Sequence, residues 1–295
     1  MRLRLLRDAL AIAVALATTM SAQQLRRPFK SDPPVMCSAC PGWNTPMDPV
    51  KVFGNTYYVG TAGLSSVLVT SERGHVLLDG GLPQSAEIID RNIRVLGFRI
   101  QDVELIVSSH AHYDHAGGIH ALQVASGARV AASRGTADAL NRGDETPDDP
   151  QYGFGRAATE FPSVRKVRVV KDGETLRVGP VAITAHLTPG HTPGSTTWTW
   201  KSCEGSNCLD IVYADSLNAI SAPGFRYSAD PPRVALFKKA IETVASLPCD
   251  IVISVHPDLT GFLEKLAAKN FVAPGGCRDY AANATRVLDA RLAGE

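Results

Sequence analysis

Short apolar runs alternate with stretches of helical spacing along the chain beyond residue 50. In each half of that region strand-like runs come first and helical patterns follow, with turn residues between them. We predict strands over residues 52–59, 66–70, 75–78, 103–107, 129–132, 164–170, 175–178, 181–187, 196–200, 211–214 and 251–255. We predict helices over residues 85–96, 120–125, 136–141, 233–246, 262–268 and 279–292. This order fits two sheets packed against each other with helices outside.

The N-terminal residues follow a different pattern, that of a secretory signal. Three arginines within the first seven residues precede an apolar core over residues 9–17, and the small residues Ser21 and Ala22 follow. We predict a signal peptide over residues 1–22 and export to the periplasm; Met20 fits the usual cleavage pattern poorly, which leaves the cleavage point open. No later run reaches about 18 apolar residues, so we expect no membrane contact in the mature form.

Length and composition describe a chain with one large core. About 270 mature residues, with 44% apolar side chains, suit one globular domain or two tightly packed halves that share a core. Residues 23–50 are rich in Pro, and we predict an extended N-terminal arm there. The folded domain would then comprise residues 51–295.

The charge balance argues against binding to polyanions. Loss of the signal, with its three Arg and one Asp, changes the formal net charge from +1 to −1. A protein that binds a phosphate backbone needs a concentrated Lys/Arg face, and no basic stripe with interleaved aromatic residues is present. We expect neither a nucleic-acid partner nor binding to anionic membranes. We expect a monomer whose partner is a small molecule.

Six cysteines in an exported chain predict disulfides. A ribbon-type zinc site or a thioredoxin-like redox site could also use the spacing of Cys37-Ser-Ala-Cys40. A zinc ribbon needs a second pair nearby, and a redox site lies between a strand and a helix, so this Pro-rich segment favours a structural bond. We predict the pairs Cys203–Cys208, Cys249–Cys277 and Cys37–Cys40.

The segment His110-Ala-His112-Tyr-Asp114-His115 follows the predicted strand 103–107 almost directly. Imidazole nitrogen and carboxylate oxygen are ligands that suit zinc. The first two histidines stand at i and i+2, where side chains that leave a strand end can face one pocket. The spacing therefore predicts a zinc site.

One zinc ion cannot use every ligand in this segment, because the adjacent Asp114 and His115 splay away from the two histidines before them. A catalytic zinc ion usually takes three protein ligands and keeps a position open for water, so two ions need about six. The candidates for the remaining two are His191, in Thr-Pro-Gly-His, and His256, in Val-His-Pro. Both follow apolar segments, where strand ends open into loops.

Together these segments resemble the metallo-β-lactamase superfamily, and most of all the third subclass of the class B β-lactamases. The resemblance covers nearly everything after residue 50. It implies an α/β fold, the αββα sandwich of two mixed sheets flanked by helices, with the metals in a groove at one edge. It is carried by Tyr57-Tyr-Val-Gly, Leu77-Leu-Asp79-Gly, the His/Asp cluster, Pro189-Gly-His191-Thr-Pro-Gly, Thr197-Trp-Thr-Trp-Lys-Ser-Cys-Glu, Tyr213-Ala-Asp-Ser216, Leu247-Pro-Cys-Asp-Ile and His256-Pro.

The resemblance also implies a role for each site residue. Two Zn²⁺ ions per chain would be bound, the first by His110, His112 and His191, and the second by Asp114, His115 and His256. The use of His115, with Ser216 where other subclasses place a ligating cysteine, points to the third subclass. Asp79 would be a buried group that orients the ligand loop. Contacts to the substrate carboxylate and the lactam carbonyl would come from Ser216, Asn218 and Gln151.

The implied activity is hydrolysis of the β-lactam ring of penicillins, cephalosporins and carbapenems by a metal-bound hydroxide, which would confer resistance. Zinc lowers the pKa of its water from about 15.7 to about 7, so no separate Ser or Cys nucleophile is needed. Asp114 would moderate the positive charge of the second ion, and this ion could stabilise the departing amide nitrogen. No residue is identified as the general acid.

Other interpretations remain open, since the same fold and ligands serve glyoxalase-type thioesterases, lactonases and phosphodiesterases. In a thioesterase Asp215 would bridge the metals; export and the lack of a basic C-terminal patch for glutathione argue against this. A secreted zinc-binding protein without activity should instead have closed coordination spheres. Single residues also have structural interpretations, as turn or loop formers or as ordinary histidines: Asp79, Ser216, Asn218, His75, His120 and His186.

Overall fold

Two mixed β-sheets form the framework of residues 29–295, the part of the chain that this computed structural model describes. The predicted signal peptide, residues 1–22, lies outside the described residues. The first sheet contains, in spatial order, β1 (Val50–Phe53), β2 (Thr56–Tyr58), β3 (Val67–Val69), β4 (His75–Leu78), β5 (Val103–Val107), β6 (Arg129–Ala132) and β7 (Arg168–Val169). Strands β1 to β4 are antiparallel, and β4 to β7 are parallel.

The second sheet has five strands. They are β8 (Thr175–Val178), β9 (Val181–Leu187), β10 (Thr196–Glu204), β11 (Asn207–Ala214) and β12 (Ile251–Ser254). Their spatial order is β12-β11-β10-β9-β8, and only β11 and β12 run parallel. Side chains from both sheets, such as Val67, Leu78, Trp198 and Ile211, form one buried apolar cluster between them.

Helices cover the outer faces of both sheets. In chain order they are α1 (Cys40–Trp43), α2 (Ser85–Val95), α3 (Tyr113–Ala116), α4 (Ile119–Ser126), α5 (Arg134–Arg142), α6 (Arg156–Thr159), α7 (Pro231–Ser246), α8 (Phe262–Ala267) and α9 (Gly276–Gly294). The apolar side chains of α7 and α9 pack with the outward residues Val212 and Val252 of the second sheet. The predicted αββα sandwich of two mixed sheets is confirmed.

The candidate site residues follow the carboxyl ends of strands from both sheets. His110 comes three residues after β5, and His256 comes two residues after β12. Asp215 directly follows β11, and His191 follows β9. The amide of Thr196 donates to the carbonyl of Ser109 at 2.9 Å and joins the two sheets here. Loops from the two sheets therefore meet at one edge of the sandwich.

A glycine turn after β4 holds the loop that carries the clustered histidines. The amide of Gly80 donates to the carbonyl of His115 at 2.8 Å, and that of Gly118 donates to Gly81 at 3.1 Å. A Cβ on Gly80 would lie 2.6 Å from the nitrogen of Ile119 and 2.8 Å from the carbonyl carbon of Gly118. The two backbone segments thus approach too closely for a side chain at residue 80.

Replacing Gly80 with alanine should therefore destabilise the protein by about 1–3 kcal/mol, because overpacking forces the backbone to shift. The shift displaces the histidine loop, so metal binding should weaken as well. Denaturant unfolding and a metal count on the same preparation measure both effects. Gly42→Ala is the matched control, because a Cβ there meets nothing within 4 Å. Equal losses in the two variants would contradict the close approach as the cause.

Several element predictions were wrong in detail. Residues 52–59 form a hairpin instead of one strand, since the chain turns at Gly54-Asn55 with φ of 54° at the glycine. Within residues 164–170 only the two residues of β7 pair as a strand. Strands β10 and β11 continue beyond the predicted ends, because residues 201–204 pair with residues 207–210.

Residues 31–50 of the predicted N-terminal arm pack against the sandwich and contain α1. Residues Ser31–Glu295 form one compact unit. The amide of Val35 donates to the side chain of Gln84 at 3.1 Å, and the Gln84 amide donates back to the Val35 carbonyl at 2.8 Å. Among residues 29–295 no helix combines the length and apolarity needed to cross a bilayer. The structure joins the cysteines as Cys37–Cys40, Cys203–Cys208 and Cys249–Cys277.

Candidate metal centre

Three histidines from two loops meet in a buried group at the edge of the sandwich. His110, His112 and His191 each offer a ring nitrogen, and these atoms lie within 4.8 Å of one another. The ring centroids of His110 and His112 are 4.7 Å apart, and the ring centroid of His191 lies 4.9 Å from each of them. The exposed fraction of each residue is at most 4%. His191 lies 79 residues beyond His112 in the sequence, so the fold itself brings it to the other two.

In each of these rings a carboxylate or a backbone carbonyl holds one nitrogen, and the other nitrogen faces the space where a metal could bind. Nδ1 of His110 lies 2.7 Å from a carboxylate oxygen of Asp215, and Nε2 is buried without a hydrogen-bond partner. Nδ1 of His191 donates to the backbone carbonyl of Asn218 at 2.8 Å. His112 has the opposite arrangement, because its Nε2 lies 3.3 Å from both carboxylate oxygens of Asp149. The metal-facing atoms are therefore Nε2 of His110, Nε2 of His191 and Nδ1 of His112.

A second group lies beside the first. Nε2 of His115 is 3.2 Å from Nε2 of His256 and 3.2 Å from Oδ2 of Asp114. The same carboxylate oxygen is 3.5 Å from Nε2 of His256. Asp114 and His115 also share a possible metal group with His110, so the two groups adjoin. The residues predicted to splay away from the first metal thus converge on His256.

The protonation states of His110, His191 and Asp114 suit metal binding. At His112 and His115 burial is outweighed by neighbouring carboxylates, which raise the pKa of His112 to about 9 and that of His115 above its usual value. Burial, followed by the charges of neighbouring histidines, holds the pKa of His110 well below its usual value. Burial lowers the pKa of His191 to about 4. Burial would raise the pKa of Asp114, but the charge and hydrogen bond of His115 outweigh it and hold that pKa well below its usual range. Neutral imidazoles and an ionised carboxylate are the forms that bind metals.

Asp79 lies beneath the histidine loop and fixes its first residues. Its Oδ1 accepts from the amide of Ser109 at 2.7 Å, and its Oδ2 accepts from the Ser109 hydroxyl at 2.6 Å. The hydroxyl of Tyr213 also donates to Oδ2, at 2.8 Å. Burial raises the pKa of Asp79 to about 6, so the group is mostly ionised at pH 7. The predicted role of Asp79 in orienting the ligand loop agrees with these contacts.

Comparisons with known proteins place the chain and its fold in one family. The family model of the metallo-β-lactamase superfamily matches residues 59–203. The solved structure of the Rm3 metallo-β-lactamase is 51% identical, with a TM-score of 0.85, over 88% of this chain and 99% of that one. The chain belongs to the metallo-β-lactamase superfamily.

Two further relatives of this superfamily member are named for different activities. MEM-A1, a subclass B3 metallo-β-lactamase from a soil metagenome library, is 46% identical with a TM-score of 0.83 and covers 85% of this chain. That match spans 98% of MEM-A1. The acyl-coenzyme A thioesterase MBLAC2 of Bos taurus is 28% identical over 198 residues, 62% of this chain and 67% of the relative. The predicted resemblance is confirmed, and the chain is a hydrolase of the metallo-β-lactamase fold.

The side chains of this metallo-β-lactamase fold fit zinc. Each predicted ligand has a ring nitrogen or a carboxylate oxygen close to those of the other ligands in its group, and the buried Nε2 of His110 has no hydrogen-bond partner. A buried polar atom without a partner is rare in native proteins unless a ligand or ion satisfies it. Nitrogen and oxygen donors in groups of three are the ligand sets that catalytic zinc takes.

The side chains predicted to contact substrate lie near the first group but differ in exposure. Nε2 of Gln151 is 3.4 Å from the metal-facing Nδ1 of His112, so Gln151 borders the groove. Ser216 is 1% exposed, and its hydroxyl accepts from the amide of Asn218 at 3.5 Å. The substrate contacts assigned to Gln151, Ser216 and Asn218 stay predictions. The hydrogen bond from the Asn218 amide to the Ser216 hydroxyl is typical of a loop-forming residue.

Residues that the sequence interpretation did not assign complete the surroundings of the two groups. The indole of Trp43 packs against His256, with 5.5 Å between ring centroids. Glu145 is 2% exposed, and one of its oxygens lies 3.6 Å from Nε2 of His112. Burial raises the pKa of Glu145 to about 8. Glu145 and Asp149 lie in a polar stretch without periodicity, which gave no sign that either carboxylate is buried.

The three histidines outside the metal groups have structural partners. Nδ1 of His120 lies 2.9 Å from a carboxylate oxygen of Asp32. His186 lies 2.9 Å from the hydroxyl of Thr199, and the ring of His75 packs edge-on against Phe98. These contacts agree with their interpretation as ordinary structural histidines.

Proposed function

We propose that this protein is a β-lactamase that uses two zinc ions to hydrolyse the ring amide of β-lactam antibiotics. The observation that carries the proposal is the pair of adjoining three-residue groups, found in a chain that matches metallo-β-lactamases over 85–88% of its length. His110, His112 and His191 would hold one ion. Asp114, His115 and His256 would hold the other.

Zinc bound by these residues would lower the pKa of water from about 15.7 to about 7 and so supply a nucleophile at neutral pH. The protein groups fix the reaction geometry. Asp215 and Asp79 hold the histidine loop from beneath, so little reorganisation is needed during reaction. The amide of Gln151 stands at the groove, where it can orient the lactam carbonyl.

We propose further that the protein is exported to the periplasm. The arginine-rich and then apolar N-terminal segment supports this, as do the three disulfides of the structure. Disulfides form and persist in oxidising compartments and are rare in the cytosol.

Hydrolysis of acyl-coenzyme A thioesters is a second candidate function, because the curated relative from Bos taurus is a thioesterase. The contacts of Asp215 favour the lactamase. In a glyoxalase-type site that carboxylate would bridge the metals, whereas here Oδ1 faces the side of His110 remote from its free Nε2. Among residues 29–295 Asp215 belongs to none of the groups that could hold a metal.

Parallel assays on one zinc-loaded preparation separate the two functions. We expect opening of a chromogenic cephalosporin with kcat/KM of at least about 10⁴ M⁻¹s⁻¹, the lower end for typical enzymes, and at least about 100-fold slower cleavage of an acyl-coenzyme A thioester. His191→Ala should abolish the cephalosporin activity. His186→Ala, which removes a histidine bonded only to Thr199, should retain it. The reverse substrate ranking would refute the proposal.

A further inference from the structure

His112 differs from the other histidines of its group in the nitrogen that it presents. Its Nδ1 faces the shared space, and its Nε2 points away toward a polar loop over residues 143–155. Both carboxylate oxygens of Asp149 lie 3.3 Å from Nε2. Asp149 is only 6% exposed, so this contact is shielded from water. A carboxylate in this position keeps the proton on Nε2 and leaves Nδ1 free to bind a metal.

Asp149 is itself held by the backbone next to Gln151. The amide of Gln151 donates to Oδ1 of Asp149 at 2.8 Å, and the amide of Tyr152 donates to the Asp149 carbonyl at 3.1 Å. One carboxylate therefore contacts a ring of the first metal group and the backbone that carries Gln151. A movement of His112 would therefore be passed to Gln151 through this carboxylate.

The residues beside Asp149 extend this connection to the second loop at the groove. The carbonyl of Pro150 accepts from the amide of Ala222 at 2.9 Å. The carbonyl of Asp148 accepts from the guanidinium of Arg233, in α7, at 2.7 Å. Residues 148–150 thus connect the first metal group, the loop that contains Asn218 and Ala222, and the start of α7.

On the basis of the proposed function, we infer that Asp149 is the positioning residue of the first zinc site and couples zinc binding to the position of Gln151. Its carboxylate sets the ring orientation of His112, and its bond to the Gln151 amide transmits that orientation to the groove. Loss of such a carboxylate partner typically costs 10–100-fold in metal affinity. Asp149 also acts on substrate binding, through Gln151, without contacting the substrate.

The same residues allow a different arrangement, which the test must separate. His112, Glu145 and Asp149 could together hold a cation of their own. That arrangement requires Nε2 of His112 to bind an ion, whereas positioning requires the same nitrogen to donate its proton to Asp149. A count of bound zinc therefore distinguishes the two.

The test compares Asp149→Asn with Asp148→Asn. This matched control removes the same charge from an exposed neighbour and leaves in place the carbonyl that bonds Arg233. Zinc affinities are measured by competition with a chromophoric chelator. We expect wild type and control to bind two zinc ions with equal affinities. In Asp149→Asn one of the two sites should weaken 10–100-fold, while the other changes less than about twofold. Its KM for a chromogenic cephalosporin should rise at saturating zinc.

A second measurement needs no variant. Hydrogen exchange of the wild-type protein should slow within residues 149–155 on addition of zinc, because zinc fixes His112 and thereby Asp149. Faster or unchanged exchange there, or unchanged zinc affinities in Asp149→Asn, would overturn the inference. A third bound zinc in wild type that Asp149→Asn loses would overturn it in favour of a separate cation site. Failure of the wild type to bind zinc at all would instead refute the proposed function.

Discussion

Replacement of His115 by alanine should leave the protein with one bound zinc ion instead of two. The second group then keeps only Asp114 and His256, and two ligands are too few for a site that normally needs three. A bound zinc ion stabilises the charge of the transition state by several kcal/mol. The loss of about 4 kcal/mol should lower kcat/KM about 10³-fold. Metal analysis by mass spectrometry and initial rates with a chromogenic cephalosporin measure both effects.

His120→Ala is the matched control for this variant. It removes the same side chain five residues further along the chain, where the imidazole contacts Asp32 and stands 40% exposed. We expect two zinc ions and nearly unchanged turnover. If His115→Ala kept two zinc ions, His115 would have to be removed from the ligand set.

Replacement of Asp79 by alanine should cause the largest loss of stability, about 4 kcal/mol. Three buried donors, from Ser109 and Tyr213, would lose their acceptor, and each unsatisfied group costs about 1–3 kcal/mol. Asp79 also has a φ of 56°, a left-handed conformation that alanine tolerates poorly. A loss of this size should lower Tm by roughly 10 °C, which calorimetry measures.

Asp79→Asn removes the charge but keeps a hydrogen-bond acceptor and tolerance of the left-handed backbone. It therefore separates the loss of charge from the other two causes. Asparagine tolerates the left-handed conformation, and its amide can pair with the hydroxyls of Ser109 and Tyr213 after these rotate. We expect a loss of about 1 kcal/mol, within the range for one altered hydrogen bond. Similar stability of the alanine variant and wild type would contradict the role of Asp79 as an anchor of the histidine loop.

The sequence predicts the fold well where one face or both faces of a strand are buried. Strands β4, β5 and β9 have the predicted bounds, because uninterrupted or alternating apolar residues fix both their type and their ends. The hairpin of β1 and β2 was missed, although Gly54-Asn55 is a dipeptide typical of two-residue turns. The polar ends of β10 and β11 carry no apolar signal, and their strand form depends on pairing with each other.

The candidate site could be predicted only in part. The clustered histidines and Asp114 are adjacent in the sequence, so local spacing reveals them, and the resemblance supplies His191 and His256. The carboxylates behind the rings are different, because Asp149 and Glu145 lie on a loop without periodicity. Their burial depends on packing between distant loops, which spacing does not encode. Trp43 reaches His256 from the N-terminal arm for the same reason.

The most direct test of paired zinc ions as the source of lactam hydrolysis is a zinc titration of chelator-stripped protein, read by turnover of a chromogenic cephalosporin. We predict no turnover before zinc is added, and a rise that reaches its maximum at two equivalents per chain. Turnover that persists in the stripped protein, or that stays absent at every zinc concentration while the protein remains folded, would contradict the account.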